Sequence, residues 1–197
     1  MSQTIAFFDF DGTVTYRDSL LEFIKYTKGV RAFYTGFIVN TPLLFAYKLK
    51  MISNQCAKER MLRYFFGRMP LEKFNNYCIS FSKEIMPSLI RPKALEEIQK
   101  LKEKGAVVVI VSASPENWLK YWCENLFLQL IGTKLKVTNN LITGDLDGSN
   151  CYGKEKVIRI KENYDLNTFS SVYCYGDTPG DKPMLALGTI SFYKPFR

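Results

Sequence analysis

Three stretches of this chain are apolar on successive positions, without alternation: residues 5–10, broken only by Asp9, residues 107–111 and residues 172–175. A strand that is apolar on both faces belongs in a parallel sheet covered by helices on both sides. The distance from Phe10 to Val107 is far more than one crossover helix requires, so an insertion is expected there. Its period differs. Leu71, Phe74, Tyr77, Cys78, Phe81 and Ile85 recur at helical steps, and Leu95, Ile98 and Leu101 do so among Glu96, Glu97, Lys100 and Lys102. The pattern predicts an α/β protein with a Rossmann-like parallel sheet. Residues 1–16 and 106–197 form its core domain, and residues 17–105 form an inserted helical domain.

The second half alternates more quickly. Ser114, Pro115 and Glu116 read as the N-cap, first-turn proline and first-turn acid of a helix ending near Asn125. Residues 134–138 and 141–144 read as short strands about an Asn139-Asn140 turn. Helices are expected over Ser19–Lys28, 157–164 and 182–187, and a last strand over 189–193. The letters Asp145-Leu146-Asp147-Gly148 repeat those of Asp9 to Gly12, but no buried run precedes them. They read as a polar hairpin.

Composition narrows the chemistry. The chain has 197 residues, 47% of them hydrophobic, enough for a sizeable core, and it has no histidine. Histidine-based triads and histidine-ligated zinc are therefore excluded. Cys56, Cys78, Cys123, Cys151 and Cys174 are odd in number and lack any Cys-x-x-Cys spacing, which predicts reduced thiols in a cytoplasmic protein, with Cys174 in the core. No basic segment precedes the first apolar run, so no signal peptide is expected. The 27 basic residues, giving a net charge of +8, are scattered rather than blocked. Nucleic acid is not an expected partner, and a non-catalytic phosphate-binding or nucleic-acid-binding module is the weaker alternative.

Carboxylates must then do the work, and they fall where ligands bind in open α/β sheets, beyond the carboxyl ends of strands. Asp9 and Asp11 are two residues apart at the end of the first run, so a strand presents both to one side, and Gly12 lets the chain turn beyond them. The second run ends in Ser112. Lys154 and Lys156 open a helical pattern, and the third run leads into Gly176-Asp177-Thr178-Pro179-Gly180-Asp181. In this order, acid pair, hydroxyl, lysine and acid pair, the chain resembles the haloacid dehalogenase superfamily. Within it, the chain resembles the subfamily IB hydrolases, the phosphoserine phosphatase-like branch with a helical C1-type cap.

The resemblance implies a phosphatase. Asp9 would be the nucleophile, forming an aspartyl phosphate, and Asp11 the general acid and then base. Mg²⁺ would be held by Asp9, Asp177 and the backbone carbonyl of Asp11, with Asp181 as a neighbouring partner. Ser112 and a lysine would bind the phosphoryl oxygens. Lys156 matches the branch pattern in Gly153-Lys154-Glu155-Lys156-Val157, whereas Lys154 fits a phosphoserine phosphatase spacing. Relatives that break carbon–halogen bonds lack the second acid, so Asp11 argues against dehalogenation.

Two features bear on the substrate. Asp18 sits where phosphoserine phosphatases contact the substrate ammonium, yet Ala113, Ser114 and Pro115 replace the glycines that follow their motif serine. Asp18 reads equally as a helix N-cap. Ala32 to Tyr47 are 16 residues without a charge, too few to span a bilayer and interrupted by Asn40-Thr41-Pro42. Flanked by Arg31, Lys48 and Lys50, they allow peripheral contact with the inner face of a membrane, and the chain resembles bacterial phosphatidylglycerophosphate phosphatases here. A buried pair of cap helices is the competing reading. The expected substrate is a small phosphorylated metabolite or a lipid phosphate.

Overall fold

The computed structural model describes residues 3–197. The chain enters through strand β1 (Gln3–Phe8), turns tightly at Gly12, and runs through four helices, α1 (Ser19–Lys28), α2 (Val30–Val39), α3 (Thr41–Lys48) and α4 (Asn54–Phe66). A two-residue strand, β2 (Met69–Pro70), precedes helices α5 (Leu71–Glu84), α6 (Met86–Leu89) and α7 (Pro92–Glu103). Then follow β3 (Val107–Pro115), α8 (Glu116–Asn125), β4 (Gln129–Thr133), β5 (Leu135–Thr138) and β6 (Leu141–Leu146). Helix α9 (Lys154–Asn163), β7 (Phe169–Gly176), α10 (Lys182–Leu185) and β8 (Ile190–Tyr193) complete the chain.

Five strands form one sheet in the order β4-β3-β1-β7-β8, and every neighbouring pair is parallel. Strand alternation splits the core in two. Ala6, Phe8, Val108, Ile110 and Tyr175 face a large cluster with α1, α4, α5, α7 and α8. Ile5, Phe7, Val109, Val111 and Cys174 face a smaller one with Ile160 of α9 and Met184 of α10. Both faces of the sheet are therefore dry, as continuous apolar strands require.

The segment between β1 and β3 leaves and returns side by side. Thr15 bridges Ile90, the Tyr16 N–H donates to the Leu89 carbonyl at 2.8 Å, and the Arg91 N–H donates to the Val14 carbonyl at 2.8 Å. Beyond this crossing, Phe23 stands at the centre of an aromatic cluster. Its ring is 5.3 Å from Phe66, 5.5 Å from Phe74, 5.2 Å from Phe81 and 4.8 Å from Trp118 of α8. A second, three-stranded sheet in the order β2-β6-β5 joins the segment to the hairpin after β4. Close packing supports this junction. Gly144, at φ +89°, approaches α4 so nearly that a Cβ there would lie 2.3 Å from the Arg63 Cα.

The structure departs from the sequence reading in the second half of the chain. Ser114 and Pro115 end strand β3 rather than opening a helix, and Ser114 caps nothing, because its hydroxyl is engaged elsewhere. Strand β4, unforeseen, is a short edge strand containing Gly132, too brief for its alternation to register.

Candidate active site

Asp9 and Asp177 lie just beyond the carboxyl ends of β1 and β7, and Ser112 lies in the second half of β3, on three adjacent strands. The Asp9 N–H donates to the Tyr175 carbonyl at 2.9 Å, which extends the ladder by one residue and fixes where the carboxylate points. Gly12 is required twice over. Its φ is +87°, and a Cβ there would lie 2.7 Å from Asp177 Oδ2.

Lys156, almost fully buried at the start of α9, donates to Asp9 Oδ1 at 2.6 Å and to Asp181 Oδ1 at 2.7 Å. Lys154 is exposed. Burial alone would strip the charge from Lys156, but Asp9 and Asp181 hold its ammonium well above the ordinary value. Burial pushes the Asp9 carboxyl up to about 7, against the pull of Lys156 and with Asp181 adding like charge. These shifts compete over one contact. The 2.6 Å ion pair decides it, with Lys156 the cation and Asp9 the ionised partner at neutral pH.

Asp181 is committed to structure. Its Oδ2 accepts from the N–H groups of Asp177 at 3.2 Å and Thr178 at 2.9 Å and from the Thr178 hydroxyl at 2.7 Å. Desolvation works against these bonds, yet Lys156 and Thr178 hold its carboxyl below the usual range. Thr13, which sequence reasoning passed over, sits between Asp9 Oδ2 and Asp177 Oδ1, 3.1 Å from each.

Asp11 turns the other way. Its Oδ1 accepts from the Ser19 N–H and its Oδ2 from the Ser114 hydroxyl, both at 2.6 Å, while the Trp118 indole N–H donates to the Ser19 hydroxyl at 3.0 Å. Ser112 is fully buried, and its hydroxyl oxygen accepts from the Ser114 N–H at 3.0 Å. Asp18 caps α1, accepting from the Leu21 N–H at 3.1 Å, and also faces the cavity.

That cavity, about 220 Å³, is walled by Asp9, Asp11, Lys156 and Asp181 below and by Asp18, Asn54 and Lys58 from α1 and α4 above. A groove of about 500 Å³ between Glu116 and Arg159 is larger, but it does not touch these acids. Lys58 was not foreseen from the sequence, where it is one lysine of an amphipathic helix. Its ammonium donates to the Ala113 carbonyl and to Asn150 Oδ1, both at 2.8 Å. Burial lowers it to about 8, with Asp11 and Asp18 pulling it back up. Asp18, although exposed by area, is crowded by protein at the cavity mouth, and this together with the charge of Asp11 pushes its carboxyl up to about 6.

Asp9, Asp177 and Asp181 each bring an oxygen within 4.8 Å of one another. Thr13 has a single hydroxyl proton, so it satisfies only one of the two oxygens facing it at any instant. The Arg197 guanidinium reaches Asp177 Oδ2, a cation standing in the acid cluster beside Lys156. An all-carboxylate set, three acids against the two cations Lys156 and Arg197, is the donor chemistry that a hard divalent cation takes. The Asp11 side chain, bound by Ser19 and Ser114, is not part of that set.

A parallel sheet flanked by helices, with acids gathered beyond the ends of its central strands, is the arrangement of an α/β protein whose ligand site lies at those strand ends. The chain belongs to the haloacid dehalogenase-like hydrolases, whose family model matches residues 6–186. That family is one of hydrolytic enzymes. The chain is 37% identical over 192 residues to Protein CicA of Caulobacter vibrioides, a match covering 96% of this chain and 85% of that protein. A structure from Bordetella pertussis Tohama I, of a protein with unknown function, superposes with a TM-score of 0.82 at 20% identity, covering 97% of this chain and 89% of the other. A phospho-aspartyl intermediate analogue of phosphoserine phosphatase superposes with a TM-score of 0.70 at 18% identity, covering 97% and 86%.

Proposed function

We propose that this protein is a Mg²⁺-dependent phosphomonoester hydrolase that works through an aspartyl phosphate. The observation that carries the reading is Asp9, held by Lys156 at 2.6 Å at the floor of a cavity that a second carboxylate, Asp11, also lines. Asp9 attacks phosphorus, forming the new O–P bond as the ester P–O bond breaks. Asp11 hands a proton to the leaving oxygen, then takes one from the water that cleaves the intermediate and frees Asp9. Ser114 and Ser19 keep Asp11 aimed. Lys156 and Ser112 receive the phosphoryl oxygens, and Asp181 positions Lys156. Asp9, Asp177 and the main-chain carbonyl of Asp11 would hold the cation, which would supply neutralising charge for the phosphoryl group.

The helical segment between β1 and β3 acts as a cap, since α1 and α4 supply the upper wall of the cavity. Asp18 and Lys58 there would meet the part of the substrate that carries the leaving oxygen. A cavity of about 220 Å³ admits a phosphate and a small group attached to it, which suits a compact phosphorylated metabolite or the headgroup of a lipid phosphate. A phosphate-release screen across phosphorylated amino acids, alcohols, sugars and lipids, with Mg²⁺ and with excess chelator, tests this. Release from none of them, or equal release in chelator, overturns it.

A further inference from the structure

Helices α2 and α3 form a hairpin with two unlike faces. The inner one is anchored. Phe33 is buried, Phe37, Leu43 and Leu44 pack against the main core, and Gly36 approaches α4 so closely that a Cβ would overlap the Phe65 ring. The outer face, which on an ordinary surface helix is polar, is apolar instead. Val30 is 58% exposed, Tyr34 60%, Ile38 73% and Phe45 61%, and Met51, just beyond α3, is 73% exposed. Val30, Tyr34 and Ile38 are spaced four apart and form one stripe. Helix α3 buries none of its residues.

The charge carried by the segment itself has one sign. From Phe23 to Lys58 the sequence contains no Asp or Glu, while Arg31, Lys48 and Lys50 stand exposed beside the apolar stripe. An exposed apolar face of this kind marks a docking surface, and a rim of cations without acids complements an anionic one. A second copy of the same hairpin would bring these cations against each other. No helix among the described residues is long and apolar enough to cross a membrane. A helix with an apolar face, a cationic rim and too short a span lies in the plane of a lipid interface.

We propose that the outer face of the α2–α3 hairpin docks the protein on an anionic lipid bilayer, with Tyr34, Ile38, Phe45 and Met51 entering the interface and Arg31, Lys48 and Lys50 resting on the headgroups. The hairpin lies directly between α1 and α4, the two helices that wall the cavity. Docking there ties membrane contact to the elements that meet substrate. The hydrolase reading adds the consequence that a phosphate monoester borne by the membrane is brought to Asp9. The docking itself does not depend on that reading.

Vesicle co-sedimentation of the full chain, without substrate, tests it. Vesicles of phosphatidylcholine with a third phosphatidylglycerol should bind the protein on the order of tenfold more tightly than pure phosphatidylcholine, and 0.5 M salt should remove most of that difference. The triple variant Ile38→Asp, Phe45→Asp, Met51→Asp should lose vesicle binding while its melting point and its hydrolysis of a soluble aryl phosphate stay as in the parent, because these side chains face outward. The pair Arg31→Gln and Lys48→Gln should lose the anionic preference alone. Absence of vesicle binding by the parent chain overturns the proposal, as does unchanged binding by the triple variant. A dimer that the triple variant dissolves, in a protein that ignores vesicles, assigns the face to a second copy and overturns it too. If the vesicle results hold while no phosphate ester is cleaved, the hydrolase reading fails and the docking stands.

Discussion

Asp9 and Asp11 are two residues apart yet lie in different surroundings, one bound by lysine and threonine, the other by two serine-borne donors. Their substitutions should therefore differ. Asp9→Asn should abolish turnover without loss of fold, since the amide keeps the shape of the carboxylate, and a melting curve beside a phosphate-release assay checks both. Asp11→Asn should slow the reaction ~10²- to 10⁴-fold, most for esters with poor leaving groups, read in single-turnover measurements. Lys58 gives a pH signature. The unfolded chain holds this proton to about 10.5 and the folded chain releases it near 8, so the unfolded state binds more protons between them. The contribution of Lys58 to stability is therefore lowest below pH 8 and rises with pH through that window. Lys58→Met should remove this rise, measured as the difference between parent and variant in denaturant titrations across the window. The sequence made Asp9, Asp11, Ser112 and Asp177 legible because each follows a buried run. Thr13, Lys58 and Ser114 were not, since their importance comes from partners far away in the chain: Asp177 for Thr13, Asn150 for Lys58, Asp11 for Ser114.

Helix α4 carries Asn54 and Lys58 to the cavity, and one buried side chain from the loop between β6 and α9 holds both. Asn150 donates to Asn54 Oδ1 at 2.6 Å, and its own Oδ1 accepts from Lys58 at 2.8 Å and from Thr133 at 3.0 Å. Asn150→Ala leaves these partners without their bonds, a cost of about 1–3 kcal/mol. It should also raise KM for the phosphate ester while leaving kcat within a few-fold, since Asp9, Asp11 and Lys156 are untouched, and steady-state kinetics beside thermal melts would show it. Among the elements, β1, β3 and β7 were legible from their apolar runs, α5 and α7 from their period, and α1 from its N-cap at Asp18. Strand β2 was hidden, since two residues have no period and their pairing depends on Leu141 and Ile142 more than seventy positions on. Ser114 was misread because Ser-Pro-Glu has the letters of a helix start, whereas its hydroxyl is bound to Asp11.

For the molecule as a whole, the acid cluster should make activity depend on a divalent cation. Chelation should silence the enzyme and Mg²⁺ restore it, and Asp177→Ala should raise the Mg²⁺ requirement or eliminate turnover, read as activity against free Mg²⁺. The parallel sheet and its helical insertion could be inferred from spacing alone. The path by which the insertion returns to the sheet could not, because backbone pairing across a loop leaves no trace in composition. That pairing has a kinetic consequence. The Arg68 N–H donates to the Ile142 carbonyl and the Leu71 N–H to the Asn140 carbonyl, both at 2.8 Å. Any swing of α4 and α5 away from the sheet must break these two bonds or drag the β5–β6 hairpin along. The amide protons of Arg68 and Leu71 are thus a clock for opening: hydrogen exchange there should run well ahead of the central strand β1 and slow when a phosphate mimic fills the cavity. Protection equal to that of β1, with or without the mimic, would mean that the protein admits its substrate without parting at this seam.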